Sequence, residues 1–177
     1  MDPYVQIAQS AIVSYVQTGR ADISEHLRNS IPDRRAGVFV SIHSANGELR
    51  GCIGTILPSR ETMVEEIAQN AQWACSRDRR FRPVIADELD DLNIKVDVLS
   101  EPEPIDSSDQ LDPDKYGLIV STCDGRRGLL LPSLDGVDTI ETQIDICRKK
   151  GNIRPNEPVS LQRFTVDRHY SSSTTIS

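Results

Sequence analysis

The stretch GVFVSIHSANGELRGCIGTIL, residues 37–57, decides the fold, because two runs of alternating apolar residues meet at Asn46-Gly47. Asn-Gly between such runs is the strongest short-range hairpin signal, since both residues tolerate the left-handed backbone of a tight turn. With these two residues as the turn, Ala45 faces Glu48, His43 lies opposite Arg50, and Ser41 lies opposite Cys52. Strand alternation then puts Val38, Val40, Ile42, Leu49, Gly51 and Ile53 on one face. Phe39, Ser41, His43, Arg50, Cys52 and Gly54 share the other. One face reads as a core, the other as a polar group.

Outward from the hairpin, both flanks read as helical. Upstream, Asp2 is a cap, Pro3 suits a first turn, Tyr4, Ala8, Ala11, Ile12, Tyr15 and Val16 repeat at helical spacing, and Gly19 supplies the stop. A short helix is expected around Ser24 to Arg28. Downstream, PSRETMVEEIAQNAQWACSRD predicts a helix capped by Ser59, with a core stripe of Val64, Ile67, Ala68, Ala71 and Cys75. At about 100° per residue Trp73 falls opposite that stripe, either exposed or covered by a second structural unit.

Beyond Pro83 come a short helix, Ala86 to Leu92, and a strand in which Ile94, Val96 and Val98 alternate with Lys95, Asp97 and Leu99. EPEPIDSSDQLDPD, residues 101–114, reads as an acidic connector. A second hairpin turns at Asp124-Gly125, and a helix follows with Asp138 and Glu141 as its capping pair. PVSLQRFTV, residues 158–166, is a last strand, and residues 171–177 are a frayed tail. Hairpins and helices mix without a βαβ rhythm, so the expected class is α+β with a mainly antiparallel sheet and flanking helices.

Composition narrows the functional classes. The chain has 177 residues, 37% of them hydrophobic and 27% charged, with a net charge of -7. A pI near 5.0 disfavours nucleic acid as a partner despite the local runs SRDRRFR (76–82) and GRRG (125–128). With no signal-like opening and no apolar run near the roughly 18 residues of a membrane span, no membrane association is expected. The cysteines at 52, 75, 123 and 147 form no paired spacing. They are read as reduced thiols of a cytoplasmic protein holding no metal and no cofactor.

The polar hairpin face carries the candidate chemistry. A thiol becomes a nucleophile as its thiolate, which a neighbouring cation or base favours. Arg50 stands two residues from Cys52, and His43 is its diagonal neighbour at on the order of 7–8 Å. Cys52, Arg50 and His43 are therefore the candidate catalytic group. Ser41, Gly51, Gly54 and Arg80 are candidate ligand-binding positions, the glycines because they admit a close approach. The plainer reading keeps Cys52 as a small buried hydrophobe and pairs Asp78 with Arg80 at a helix end.

ELRGCIGT resembles the signature of the AMMECR family, and the similarity runs over about residues 36–166. It includes Asp78-Arg79-Arg80-Phe81, the strand from Ile94 to Pro104, and Leu130-Leu131-Pro132. The resemblance implies a single domain, residues 1–170, of two unequal subdomains. The larger is formed from both chain ends, and a cleft lies between the two. It implies a site at Arg50 and Cys52, with Arg80 and Phe81 nearby. The polar face shared by Arg50, Cys52 and His43 suggests in turn a small anionic or peptide-like ligand anchored by Arg50. The resemblance further implies a modification pathway shared with a radical SAM enzyme and a MEMO-like protein. A scaffold without chemistry, in which the LRGCIG strand only packs, is the rival reading. The chain departs from the family's pattern at Lys149-Lys150-Gly151, in the tryptophan-free LDGVDT, and after Phe164.

Overall fold

A computed structural model describes residues 1–171. Two antiparallel sheets with flanking helices make up an α+β fold, and the chain divides into two units. One comprises Met1–Leu99 and the chain from Asp167, the other Ser100–Val166.

In the first unit, helix α1 (Pro3–Thr18) starts where the Asp2 carboxylate accepts from the N–H groups of Tyr4 and Val5. It stops at Gly19, whose φ of 80° is left-handed. The short α2 (Glu25–Arg28) is capped by Ser24. Strands β1 (Val38–His43) and β2 (Leu49–Gly54) form the expected hairpin, but its turn is longer than two residues. Gly47 N–H donates to Ser44 O and Ser44 N–H to Glu48 O, closing a three-residue loop. Thr122 and Arg126 close the second hairpin in the same way. In both, a glycine near φ 85–89° takes the left-handed third position.

The longer turn changes the register. His43 pairs with Leu49 rather than Arg50, and a bulge then restores Ile42 opposite Gly51 and Ser41 opposite Cys52. Leu49, expected in the core, is 37% exposed as a result.

Helix α3 (Met63–Ser76) is capped by Thr62, not Ser59. Ser59 serves the fully buried Glu66 instead. That carboxylate accepts from Thr55 Oγ1, Ser59 N and Oγ, and Arg60 N at 2.6–2.9 Å, pinning residues 55–60 against the helix. The short helix expected at Ala86 is a 3-10 turn, Ala86–Asp91. Strand β3 (Asn93–Leu99) pairs with β1, and with β8 (Val166–Tyr170) the sheet order is β2-β1-β3-β8. Helices α1 and α3 bury one face of this sheet, with Ile7, Ile12, Ile67, Ala71, Val38, Val40 and Val96 in the core.

The second unit corrects the connector: β4 (Glu103–Ile105) lies inside it and pairs with β7 (Ser160–Phe164). Its sheet runs β4-β7-β5-β6, with β5 Gly117–Ser121, β6 Arg127–Leu130 and β7 Ser160–Phe164. Helix α4 (Ile140–Lys150) is capped by Thr139, one residue past the expected Asp138, and packs on Leu118, Val120 and Leu130 through Cys147. The expected last strand is two strands. After β7, β8 (Val166–Tyr170) joins the first unit's sheet, where His169 Nδ1 lies 2.7 Å from Asp2 Oδ2 and its ring stacks on Tyr4. Ser171, placed in the expected tail, exchanges hydrogen bonds with Ile94. The remainder of that tail lies outside the described residues.

Candidate functional site

The LRGCIG strand is β2, and four of its residues are fixed by four different neighbours. Arg50, the bulge residue, donates through Nε and Nη2 to the two Glu88 oxygens at 2.9 and 3.1 Å. Its Nη1 and Nη2 also reach Arg82 O and Pro83 O at 2.8 and 3.3 Å. The side chain is 12% exposed, so this guanidinium is spent on the 82–88 segment. The arginine holds Glu88 below the usual carboxylate range.

Gly51 and Gly54 allow close packing. A Cβ on Gly51 would lie 2.2 Å from Ala74 O of α3, and one on Gly54 would lie 2.2 Å from the Phe39 ring. Here the candidate ligand-binding glycines receive protein atoms.

Cys52 sits between a fixed backbone and a polar sheet face. Its N–H donates to Asp78 Oδ2 at 2.9 Å. Asp78 is in turn held by Arg80, whose Nε and Nη2 contact its two oxygens at 3.0 and 2.8 Å. That arginine brings the Asp78 carboxyl down to about 2. The Cys52 Sγ lies 3.3 Å from Ser41 Oγ. Burial pushes the thiol above its ordinary value and outweighs the hydrogen bond to Ser41 and the charges of Lys95 and Arg80, all of which favour the thiolate. His43 is lowered, first by burial and then by Lys95. Among the described residues no hydrogen bond joins His43 to Cys52.

The candidate set therefore separates. Ser41, Cys52 and Arg80 come together. His43 stands beyond Ser41 on the same strand, opposite Leu49. Arg50 is engaged by Glu88.

Sequence reasoning missed four neighbours: Glu88, the partner of Arg50, and Lys95, Asp97 and Arg168. Lys95 pairs with Ser41 across β1 and β3, which continues the row from Cys52. Asp97 is wholly buried, 2.7 Å from Arg168 Nε and 3.8 Å from Lys95 Nζ. The signal for Lys95 and Asp97 was the alternation of NIKVDVL, whose polar members must face the side of the sheet away from α1 and α3. Among the described residues no three His, Cys, Asp or Glu side chains gather as a metal site.

Two antiparallel sheets with flanking helices and a glycine-flanked Cys52 strand define an α+β protein with a polar sheet face. The chain belongs to the AMMECR1 family, whose model matches residues 5–170. A Thermotoga maritima protein is 46% identical over 169 residues, covering 94% of this chain and 97% of that one. A Clostridium acetobutylicum protein is 44% identical over 97% of this chain, which spans 36% of that relative's length. The crystal structure of the uncharacterized protein PH0010 from Pyrococcus horikoshii superposes with a TM-score of 0.85 at 27% identity, covering 96% of this chain and 90% of that one. No helix among the described residues is long and apolar enough to cross a membrane.

Proposed function

We propose that this chain is a cytoplasmic binding component that takes a small anionic or peptide-like ligand on the face around Cys52, with the thiol protonated and donating rather than attacking. The observation that carries this reading is the row Cys52, Ser41 and Lys95 across β2, β1 and β3 with Arg80 beside it, Lys95 lying 3.8 Å from Asp97 and Arg80 held by Asp78, around a thiol that burial keeps neutral. A neutral donor beside two cations suits a carboxylate or phosphate, and the Ser41 hydroxyl, 3.3 Å from the thiol, is a further donor. Arg50, first expected to anchor the ligand, acts through Glu88 to brace the strand.

The placement of this component beside a radical SAM enzyme and a MEMO-like protein follows from the family resemblance.

The test is calorimetric titration with inorganic phosphate and, separately, with Ala-Ala-Ala bearing a free carboxylate. Saturable binding by one of them, weakened about tenfold in Lys95→Gln, is the expected outcome. Equal binding by the variant would overturn the site, and so would preferential alkylation of Cys52 at neutral pH.

The geometry at Gly51, Gly54 and Arg50 also favours a second reading, in which the whole motif serves packing alone. In that case neither titrant binds, and Cys52→Ser changes only the melting temperature.

A further inference from the structure

A recess lies in the first unit, and none of its lining residues belongs to the face around Cys52. It is a groove of about 690 Å³ along the outer side of α3. From Val64 to Arg77 it follows the helix for about 20 Å at 1.5 Å per residue. Ile23, Val64 and Ala68 form its apolar floor, and Trp73 stands near one end.

Three guanidinium groups, of Arg28, Arg60 and Arg77, edge this groove. Each is tethered on one side. Arg28 Nε donates to Ile23 O at 3.2 Å, and Arg60 Nε donates to Gln69 Oε1. The backbone of Arg60 is also pinned by Glu66 and by Arg35. Arg77 caps α3 and lays its guanidinium 5.4 Å from the Trp73 ring centroid. Among the described residues none of the three forms an ion pair with a carboxylate. Glu61 and Glu65 also line the groove, so its edge carries one more cation than anion in a chain whose net charge is -7.

We propose that this groove binds a planar aromatic anion of small-molecule size. The volume falls within the range of small-molecule sites, about 300–1,000 Å³. A flat ring gains by stacking on an indole or a guanidinium plane, whereas a bulky aliphatic body does not. The arginine edge selects the negative group through charge-assisted hydrogen bonds, and tethering limits the rotamer entropy lost on binding.

Trp73 is the chain's one tryptophan, so its indole N–H gives a single NMR resonance that reports on this groove. Titration with 2-naphthoate is expected to move that resonance saturably. Binding should weaken about tenfold or more in Arg28→Gln combined with Arg60→Gln, at an unchanged melting temperature because both side chains are exposed. 2-Naphthylmethanol, which is flat but neutral, and cyclohexanecarboxylate, which is charged but not flat, should each bind more weakly. No saturable shift at millimolar naphthoate, equal binding of either control, or full binding by the double variant would overturn the proposal. None of these outcomes bears on the phosphate and tripeptide titrations at Cys52.

Discussion

At Cys52 the backbone N–H is held by Asp78, and the side chain rests 3.3 Å from the Ser41 hydroxyl. The residue is thus fixed at both ends, and the electrostatics of the site act through Asp78 more than through the thiol. Arg80 keeps that carboxyl ionised down to about 2, below its ordinary 3.8. A carboxyl depressed in the folded state contributes stability that is complete above its unfolded value and is lost as pH falls through the folded one. The window here is about pH 4 to 2. Arg80 is 59% exposed, so solvent screening limits the contribution to on the order of 1–2 kcal/mol. Asp78→Asn should therefore lower stability by about that amount at pH 7 and by little at pH 2, measured as urea midpoints across the range. A pH-independent loss would instead mean that the hydrogen bond to Cys52 is the whole of its role.

At the scale of elements, the β1–β2 hairpin shows how close packing constrains a strand. Ala74 O occupies the place of a side chain at position 51, and backbone atoms of a helix cannot rotate away. Gly51→Ala is expected to cost about 1–3 kcal/mol through displacement of α3 from β2. Thermal unfolding of the variant measures it, and a midpoint within a degree of the parent would contradict the contact. The same hairpin shows what was legible. Asn46-Gly47 located the turn, and alternation sorted Val38, Val40 and Ile42 from Ser41 and Cys52. The loop length was not legible, because Asn-Gly serves both two- and three-residue turns, and the bulge that compensates for it has no signature in Leu49-Arg50-Gly51. Lys95 and Asp97 could have been found from the period of β3. Glu88 and Arg168 could not, since they lie 38 and 71 residues from their partners Arg50 and Asp97. Caps failed by local competition: Ser59 was drawn to Glu66, and Thr139 displaced Asp138.

Over the whole molecule, each unit has a separate hydrophobic core, and each core holds a sealed thiol: Cys75 in the first, Cys147 in the second. Burial pushes these up to about 11 and about 12. Cys123 is exposed in a turn, and Cys52 is half-buried. Alkylation with iodoacetamide at pH 8, mapped by mass spectrometry, should label Cys123 first and Cys52 more slowly, with Cys75 and Cys147 labelled only in denaturant. Labelling of Cys52 ahead of Cys123 would reverse the conclusion that its proton is retained. The order in which the chain is made has its own consequence. Strand β3 neighbours both β1 and β8, yet a ribosome delivers β8 only after residues 100–165. Until then one border of the nascent sheet is open, and Asp97 waits without the guanidinium of Arg168. The Asp97 side chain and the neighbouring Lys95, polar groups on an unfinished strand, discourage pairing with a foreign chain, so the residues that later close this sheet first guard it.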